Sequence, residues 1–175
     1  GLIGSAFADV LQLDNRGGSI WAQAGDDTVK GDTDNDDLHG EAGVNHLIGG
    51  AGADLLDGGG GLSFADYSTA AAGVSANLGD ATGNTGDAAG DTYSAIAGLI
   101  GSSHDDTLQL GSSGGSIWAI DGNDTLFGGN GGDDLHGGNG ADVLFGSGGA
   151  DVLDGGGDND VFVFGRDWAN GDTVV

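Results

Sequence analysis

The sequence predicts an all-β fold, a parallel solenoid of short strands and glycine-rich turns. Three observations carry this: a nine-residue repeat, an internal duplication at an offset of 97 residues, and a composition of loops rather than helices. Repeats decide the architecture of such a chain before any local propensity does. Residues 4–60 align without gaps on 101–157, with 32 of 57 positions identical. Gly-Gly-Ser-Ile-Trp-Ala recurs at 17–22 and 114–119, and Asp-Leu-His-Gly at 37–40 and 134–137. The chain therefore divides into a first block (1–60), a spacer (61–100), a second block (101–163) and the start of a C-terminal cap (164–175).

Composition narrows the classes of function. Gly supplies 41 of 175 residues, Pro, Cys and Met are absent, and the formal charge is −25. Collagen needs proline, and disulfide or Cys-ligated zinc scaffolds need cysteine. Glu41 is the one acidic residue that is not Asp, so 27 of 28 carboxylates sit on the short side chain that suits turns and hard cations. Lys30, Arg16 and Arg166 are the only basic residues, which excludes nucleic acid and anionic lipid as partners, because phosphate binding draws on Lys and Arg. No apolar stretch approaches the ~20 residues that cross a bilayer, so membrane insertion is not expected. Leu, Ile, Val and Phe make up only 39 of 175 residues, close to the roughly 20% below which a highly charged chain stays disordered. Stability must come from outside the chain.

Within each block the period is nine. From Gly128 the second block reads Gly-Gly-Asn-Gly-Gly-Asp-Asp-Leu-His, and the same template, G-G-x-G-x-D-x-U-x with U large and apolar, restarts at Gly137, Gly146 and Gly155. Six residues form a turn and three a strand. Strand side chains alternate, so the middle residue of each trio points inward: Leu11, Ile20, Val29, Leu38, Leu47 and Leu56, then Leu108, Ile117, Leu126, Leu135, Leu144, Leu153 and Phe162. Two nonapeptides complete a coil, so residues eighteen apart lie on adjacent rungs at ~4.8 Å. The aspartates then fall into columns: Asp106, Asp124, Asp142 and Asp160; Asp133 and Asp151; Asp9 and Asp27; Asp36 and Asp54. Like charges at that spacing repel by roughly 3–4 kcal/mol at an effective dielectric near 20, so a divalent cation is required between them. Calcium fits best, taking six to eight oxygens in flexible geometry, where magnesium demands strict octahedra and zinc prefers His or Cys.

The template resembles the nonapeptide of the RTX, or hemolysin-type calcium-binding, family. That resemblance implies a right-handed parallel β-roll with calcium-binding turns, two copies joined by a β-rich spacer. It also implies several Ca2+ ions in two columns per roll, each between turns one coil apart, taking a carboxylate from both and main-chain carbonyls of positions one to four. Carried over, the ligand pairs are Asp106/Asp124, Asp124/Asp142, Asp142/Asp160, Asp133/Asp151, Asp9/Asp27 and Asp36/Asp54. Gly40, Gly43, Gly49, Gly52, Gly128, Gly131, Gly137, Gly140, Gly146, Gly149 and Gly155 stand at positions one and four of the turns concerned. Asn45 replaces the Asp below Asp27 and Ser63 the next, so that column fades. Gly18 and Gly115 take the Asp position, so the turns at 13–18 and 110–115 are expected to lack an ion.

Other features remain. Trp21, His39 and Asp57, and again Trp118, His136 and Asp154, form outward columns; no Ser or Cys nucleophile accompanies them, so they read as packing rather than catalysis. His46 and His104 are expected to be exposed. Phe127, Phe145 and Val163, with Val143 and Val161, form an outward apolar stripe that the spacer or a neighbouring module would cover. Alternation at Val74, Ala76 and Leu78 predicts a strand in the spacer, and Trp168 is expected to cap the roll.

The functional expectation is a calcium-binding structural module, not an enzyme, that folds on ion binding outside the cell. The resemblance implies a secreted or cell-surface bacterial protein exported by type I secretion, its C-terminal signal lying outside this fragment. The alternatives are a self-associating or adhesive unit of a surface layer, fibre or matrix, and an accessory domain of a secreted enzyme. Partners beyond calcium are neighbouring modules or copies of the chain itself.

Overall fold

The structure, a computed structural model, describes residues 1–14, 16–164 and 171–175. Every strand pairing within its sheets is parallel, as a coil of turn, strand, turn, strand requires. One five-stranded sheet contains β1 (Leu2–Ile3), β3 (Ser19–Trp21), β5 (Asp37–His39), β7 (Leu55–Asp57) and β10 (Thr92–Ser94). A nine-stranded sheet runs β2 (Val10–Gln12), β4 (Thr28–Lys30), β6 (Val44–Ile48), β8 (Leu62–Asp66), β11 (Gly98–Ile100), β13 (Ser116–Asp121), β15 (Asp134–Asn139), β17 (Val152–Gly157), β19 (Thr173–Val174). A second five-stranded sheet holds β9 (Ser75–Asn77), β12 (Thr107–Gln109), β14 (Thr125–Asn130), β16 (Val143–Gly148) and β18 (Val161–Val163). The result is a parallel β-roll.

Inside each block the register is eighteen throughout, as in Leu38↔Leu56 and Leu126↔Leu144. The middle residues from Ile20 to Leu56 and from Leu108 to Leu153 are completely buried, a core one side chain wide. Leu11 and Phe162, at the ends of the series, are half-buried against it. The nine-stranded sheet is the shared wall. Over the first block the chain alternates between it and the first five-stranded sheet, and over the second block between it and the other.

The spacer joins the same core through Ala65, Val74, Ala76 and Leu99. Its expected strand is β9, with Val74 and Ala76 buried. Two single-turn 3-10 segments, Ala81–Gly83 and Gly86–Ala88, follow it. β9 does not cover the apolar stripe, as the sequence had left open; it extends the same sheet by pairing with β12. Phe127 and Phe145 stack there at 4.7 Å, and Val161 is 53% exposed. Trp168 lies outside the described residues.

The duplication and the coil are out of step. Every strand of the first block has its counterpart on the opposite wall: Trp21 lies in the first five-stranded sheet, whereas Trp118 lies in the nine-stranded one. The second block is thus turned by half a coil relative to the first.

Candidate metal centres in the turn columns

The turns that follow the template are shaped by two glycine positions with different duties. Position four needs backbone freedom: Gly131, Gly140 and Gly149 sit at φ +104°, +130° and +134°, where an L side chain is strained. Position one needs emptiness. A Cβ on Gly128 would lie 2.5 Å from Asp133 Oδ2 and 2.8 Å from the carbonyl oxygen of Gly146 on the next rung. Likewise, a Cβ on Gly137 would meet Asp142 Oδ2 and the Gly155 carbonyl, and one on Gly31 would meet Asp36 Oδ2 and the Gly49 carbonyl. Glycine therefore leaves room where a carboxylate oxygen and a carbonyl oxygen of adjacent turns converge.

The structure brings all six sequence-derived aspartate pairs together through one repeated hydrogen bond. The backbone N–H of one Asp donates to Oδ1 of the Asp one rung on: Asp9 to Asp27 at 2.8 Å, Asp36 to Asp54 at 2.8 Å, Asp106 to Asp124 at 2.7 Å. Asp124 to Asp142 is 2.8 Å, Asp133 to Asp151 is 3.0 Å and Asp142 to Asp160 is 3.0 Å. The second oxygen behaves differently. Oδ2 of Asp27, Asp54, Asp124, Asp133, Asp142 and Asp151 is buried with no hydrogen-bond partner. Stranding one such buried polar atom costs ~1–3 kcal/mol, so six in register are a shared liability that an external cation removes.

Burial raises several turn aspartates, and neighbouring carboxylates add to it at Asp54, Asp124, Asp133, Asp142 and Asp151. The Asp54 and Asp124 carboxyls are pushed up to about 7 and that of Asp133 to about 6. Those of Asp106, Asp142 and Asp151 are also raised, in each case chiefly by removal from water. Among the described residues no group of three or more carboxylates or imidazoles is arranged so that it could hold a metal ion. A metal held here would take two aspartates and complete its shell from main-chain oxygens, which selects a hard, oxygen-loving ion.

Three Asp residues are closed locally. Ser5 donates its N–H (2.6 Å) and hydroxyl (2.9 Å) to Asp9 Oδ2. Ser102 donates its N–H to Asp106 Oδ2 (2.6 Å) and its hydroxyl to Oδ1 (2.9 Å). Asp32 N–H donates to Asp36 Oδ2 at 2.8 Å.

The departures from the template have physical substitutes. Buried Asn45 accepts the Asp27 N–H (3.1 Å) and donates to Ser63 Oγ (3.3 Å), which donates to the Gly58 carbonyl (3.0 Å). The position-six groups there carry no charge. At Gly18 and Gly115 the residues of positions one and six are exchanged: Leu13 and Leu110 carry their side chains to 3.2 and 3.4 Å of where a Cβ on the glycine would stand. An apolar plug fills the space that a carboxylate fills elsewhere. Strand register joins these turns into one column, Asp9, Asp27, Asn45, Ser63, Ala97, Gly115, Asp133, Asp151 and Asp172, charged at both ends and neutral in the middle.

Two aspartates escaped the sequence reading. Asp91 accepts the Asp54 N–H at 2.9 Å and Asp172 accepts the Asp151 N–H at 3.1 Å. Each is followed by Thr and an apolar residue, the Asp-x-U signature, but at separations of 37 and 21 residues rather than 18.

The Trp–His columns form as expected. Trp21 stacks on His39 at 5.3 Å and Trp118 on His136 at 5.5 Å, both 4° from parallel. His39 lies between Asp37 (Nε2, 2.9 Å) and Asp57 (Nδ1, 3.3 Å), and His136 between Asp134 (3.0 Å) and Asp154 (3.5 Å). Trp118 also packs edge-on against Phe64 of the spacer at 5.3 Å. His104 is exposed. His46 is not: it is half-buried, paired with Asp66 at 2.9 Å and tilted on Phe64, because β8 lies beside β6 and carries both partners in.

A family model of the RTX calcium-binding nonapeptide repeat in four copies matches residues 18–46, 30–62, 100–135, 109–144 and 136–167. No curated protein matches the chain.

Proposed function

Because the chain belongs to the RTX calcium-binding nonapeptide repeat family, we propose that it is a calcium-dependent structural module of a secreted or cell-surface protein, folding as Ca2+ binds outside the cell. The observation that carries this is the run of buried, unpartnered Oδ2 atoms set against carbonyl oxygens of the next rung. Asp106/Asp124, Asp124/Asp142, Asp142/Asp160, Asp133/Asp151, Asp9/Asp27 and Asp36/Asp54 would hold the ions. Calcium supplies the positive charge that lets these carboxylates stay ionised and buried. Without it, stacked charges and a core one residue wide do not offset the ~1–2 kcal/mol per residue of backbone entropy. Extracellular calcium sites bind at ~0.1–1 mM, so the chain stays unfolded in a calcium-poor cytosol and folds after export. Titration with a chelator, followed by circular dichroism, tests the reading: sheet signal should give way to coil, and an unchanged spectrum would overturn it.

The stacked Phe127 and Phe145, beside exposed Val161, favour a second reading in which copies or neighbouring modules associate through that stripe. A stable monomer by light scattering in calcium removes it. Service as an accessory domain to a secreted enzyme depends on residues outside this chain.

A further inference from the structure

The spacer enters the coil as one enlarged turn. β8 pairs with β6 so that Tyr67 follows in the place of Gly49, the residue that opens the turn ending at Asp54. β10 pairs with β7, Thr92 opposite Leu55, so that Asp91 takes the place of Asp54 itself. Between these two points residues 68–90 make an excursion in which β9 joins the second five-stranded sheet. The column of Asp36 and Asp54 thereby acquires a third carboxylate from outside the repeats.

This junction has the features of the repeat pairs. The Asp54 N–H donates to Asp91 Oδ1 at 2.9 Å, within the 2.7–3.0 Å of the other six. Asp54 and Asp91 are each 1% exposed, and Asp54 Oδ2 is buried without a partner. Asp91 Oδ2 accepts from the Tyr67 hydroxyl at 2.9 Å, Tyr67 and Tyr93 oxygens lie 2.6 Å apart, and Asn84 Nδ2 donates to Tyr93 at 2.9 Å. A buried phenol relay thus fixes the orientation of the second carboxylate. Nor does this fold need charge at every rung of a column: Asn45 and Ser63 fill the middle of the neighbouring one with neutral groups. Here two buried acids are kept.

We infer that Asp54, of the last turn of the first block, and Asp91, of the spacer, hold a further calcium ion, which clamps the spacer onto that block. This rests on the calcium reading above, and the test separates the two. Native mass spectrometry of the full chain in calcium counts the ions. Asp91→Asn should carry one ion fewer than the parent and keep the rest. An equal count in both, with calcium bound, overturns this site alone; a parent that binds none overturns the calcium reading itself. Should Asp91→Asn fail to fold, terbium in place of calcium decides the matter. Tyr67 and Tyr93 are the only tyrosines, and both lie at this junction. The tyrosine contribution is the terbium emission excited where both rings absorb, less that predicted from excitation at the red edge where tryptophan alone absorbs; it should be positive in the parent and vanish in the Tyr67→Phe, Tyr93→Phe double variant, while the tryptophan-excited emission persists. No tyrosine contribution in the parent overturns the site.

Discussion

The two blocks share 32 of 57 residues and two equivalent aspartate pairs, Asp9/Asp27 with Asp106/Asp124 and Asp36/Asp54 with Asp133/Asp151, yet their turns are built differently. In the second block β13 to β17 are each six residues long, because ladder pairing continues into the turn at Ile120↔Gly138, Gly129↔Ser147 and Gly138↔Gly156. In the first block most strands stop at three residues, and turn pairing is reduced to the isolated bridge Ala24↔Ala42. Glycine at positions two and four does not by itself set this: Ile120 and Ser147 pair at position two of the second block, while Gly49-Gly-Ala-Gly52 of the first keeps both glycines and its strand stops at Ile48. The turn Gly31-Asp-Thr-Asp34 is held locally, by Asp32 accepting the Asp34 N–H at 2.8 Å. The position-six aspartate aligns the rungs in both blocks.

The contrast can be broken most severely at Asp142, which belongs to two pairs, Asp124/Asp142 and Asp142/Asp160. Asp142→Ala should raise the calcium midpoint of folding by at least the ~10–100-fold that loss of even an outer-shell partner costs, measured by circular dichroism against free calcium. Converting a plug into a site is the next largest effect. Leu110→Gly with Gly115→Asp restores the template in a turn whose position-six N–H already donates to Asp133 Oδ1 at 2.9 Å. Native mass spectrometry should count one additional ion, and the metal-free form should lose roughly 2–5 kcal/mol with the buried leucine; an unchanged count would show that the plug is not what excludes the ion.

A gentler perturbation is pH. Folded, metal-free Asp54 and Asp124 carry pKa values of about 7, and Asp91 and Asp133 of about 6, against ~3.9 in an unfolded chain. Between these values the folded form holds protons that the unfolded form has released. The metal-free folding free energy should therefore become more favourable as pH falls from 7 toward 4, by up to ~1.4 kcal/mol per pH unit for each such group, a gain that is lost as pH climbs through 7. Calcium should expel those protons, and calorimetry in buffers of different ionisation enthalpy would detect the release; none at pH 6 would contradict the shared occupancy of proton and ion. The smallest effect belongs to Asp9→Ala, since Asp9 serves one pair and Ser5 already satisfies its Oδ2. A midpoint shift equal to that of Asp142→Ala would sink the column scheme.

Periodicity made the repeats legible because one inward residue per trio and one turn aspartate per nonapeptide leave little freedom. Ile20, Leu38 and Leu56 lie in register, as do Asp124, Asp142 and Asp160, where counting by eighteen puts them. Where the count lapses, so did the reading. Asp91 and Asp172 complete columns through segments of other lengths, and His46 found Asp66 only because β8 follows β6 directly on the shared wall.

The half-coil offset between duplication and solenoid has a geometric outcome for anything that docks from outside. The Trp21–His39 and Trp118–His136 surfaces are near-identical patches looking in contrary directions. A flat object can touch only one of them at a time, whereas two separate bodies that recognise this patch could be held apart by one chain, like plates on either side of a spacer bolt.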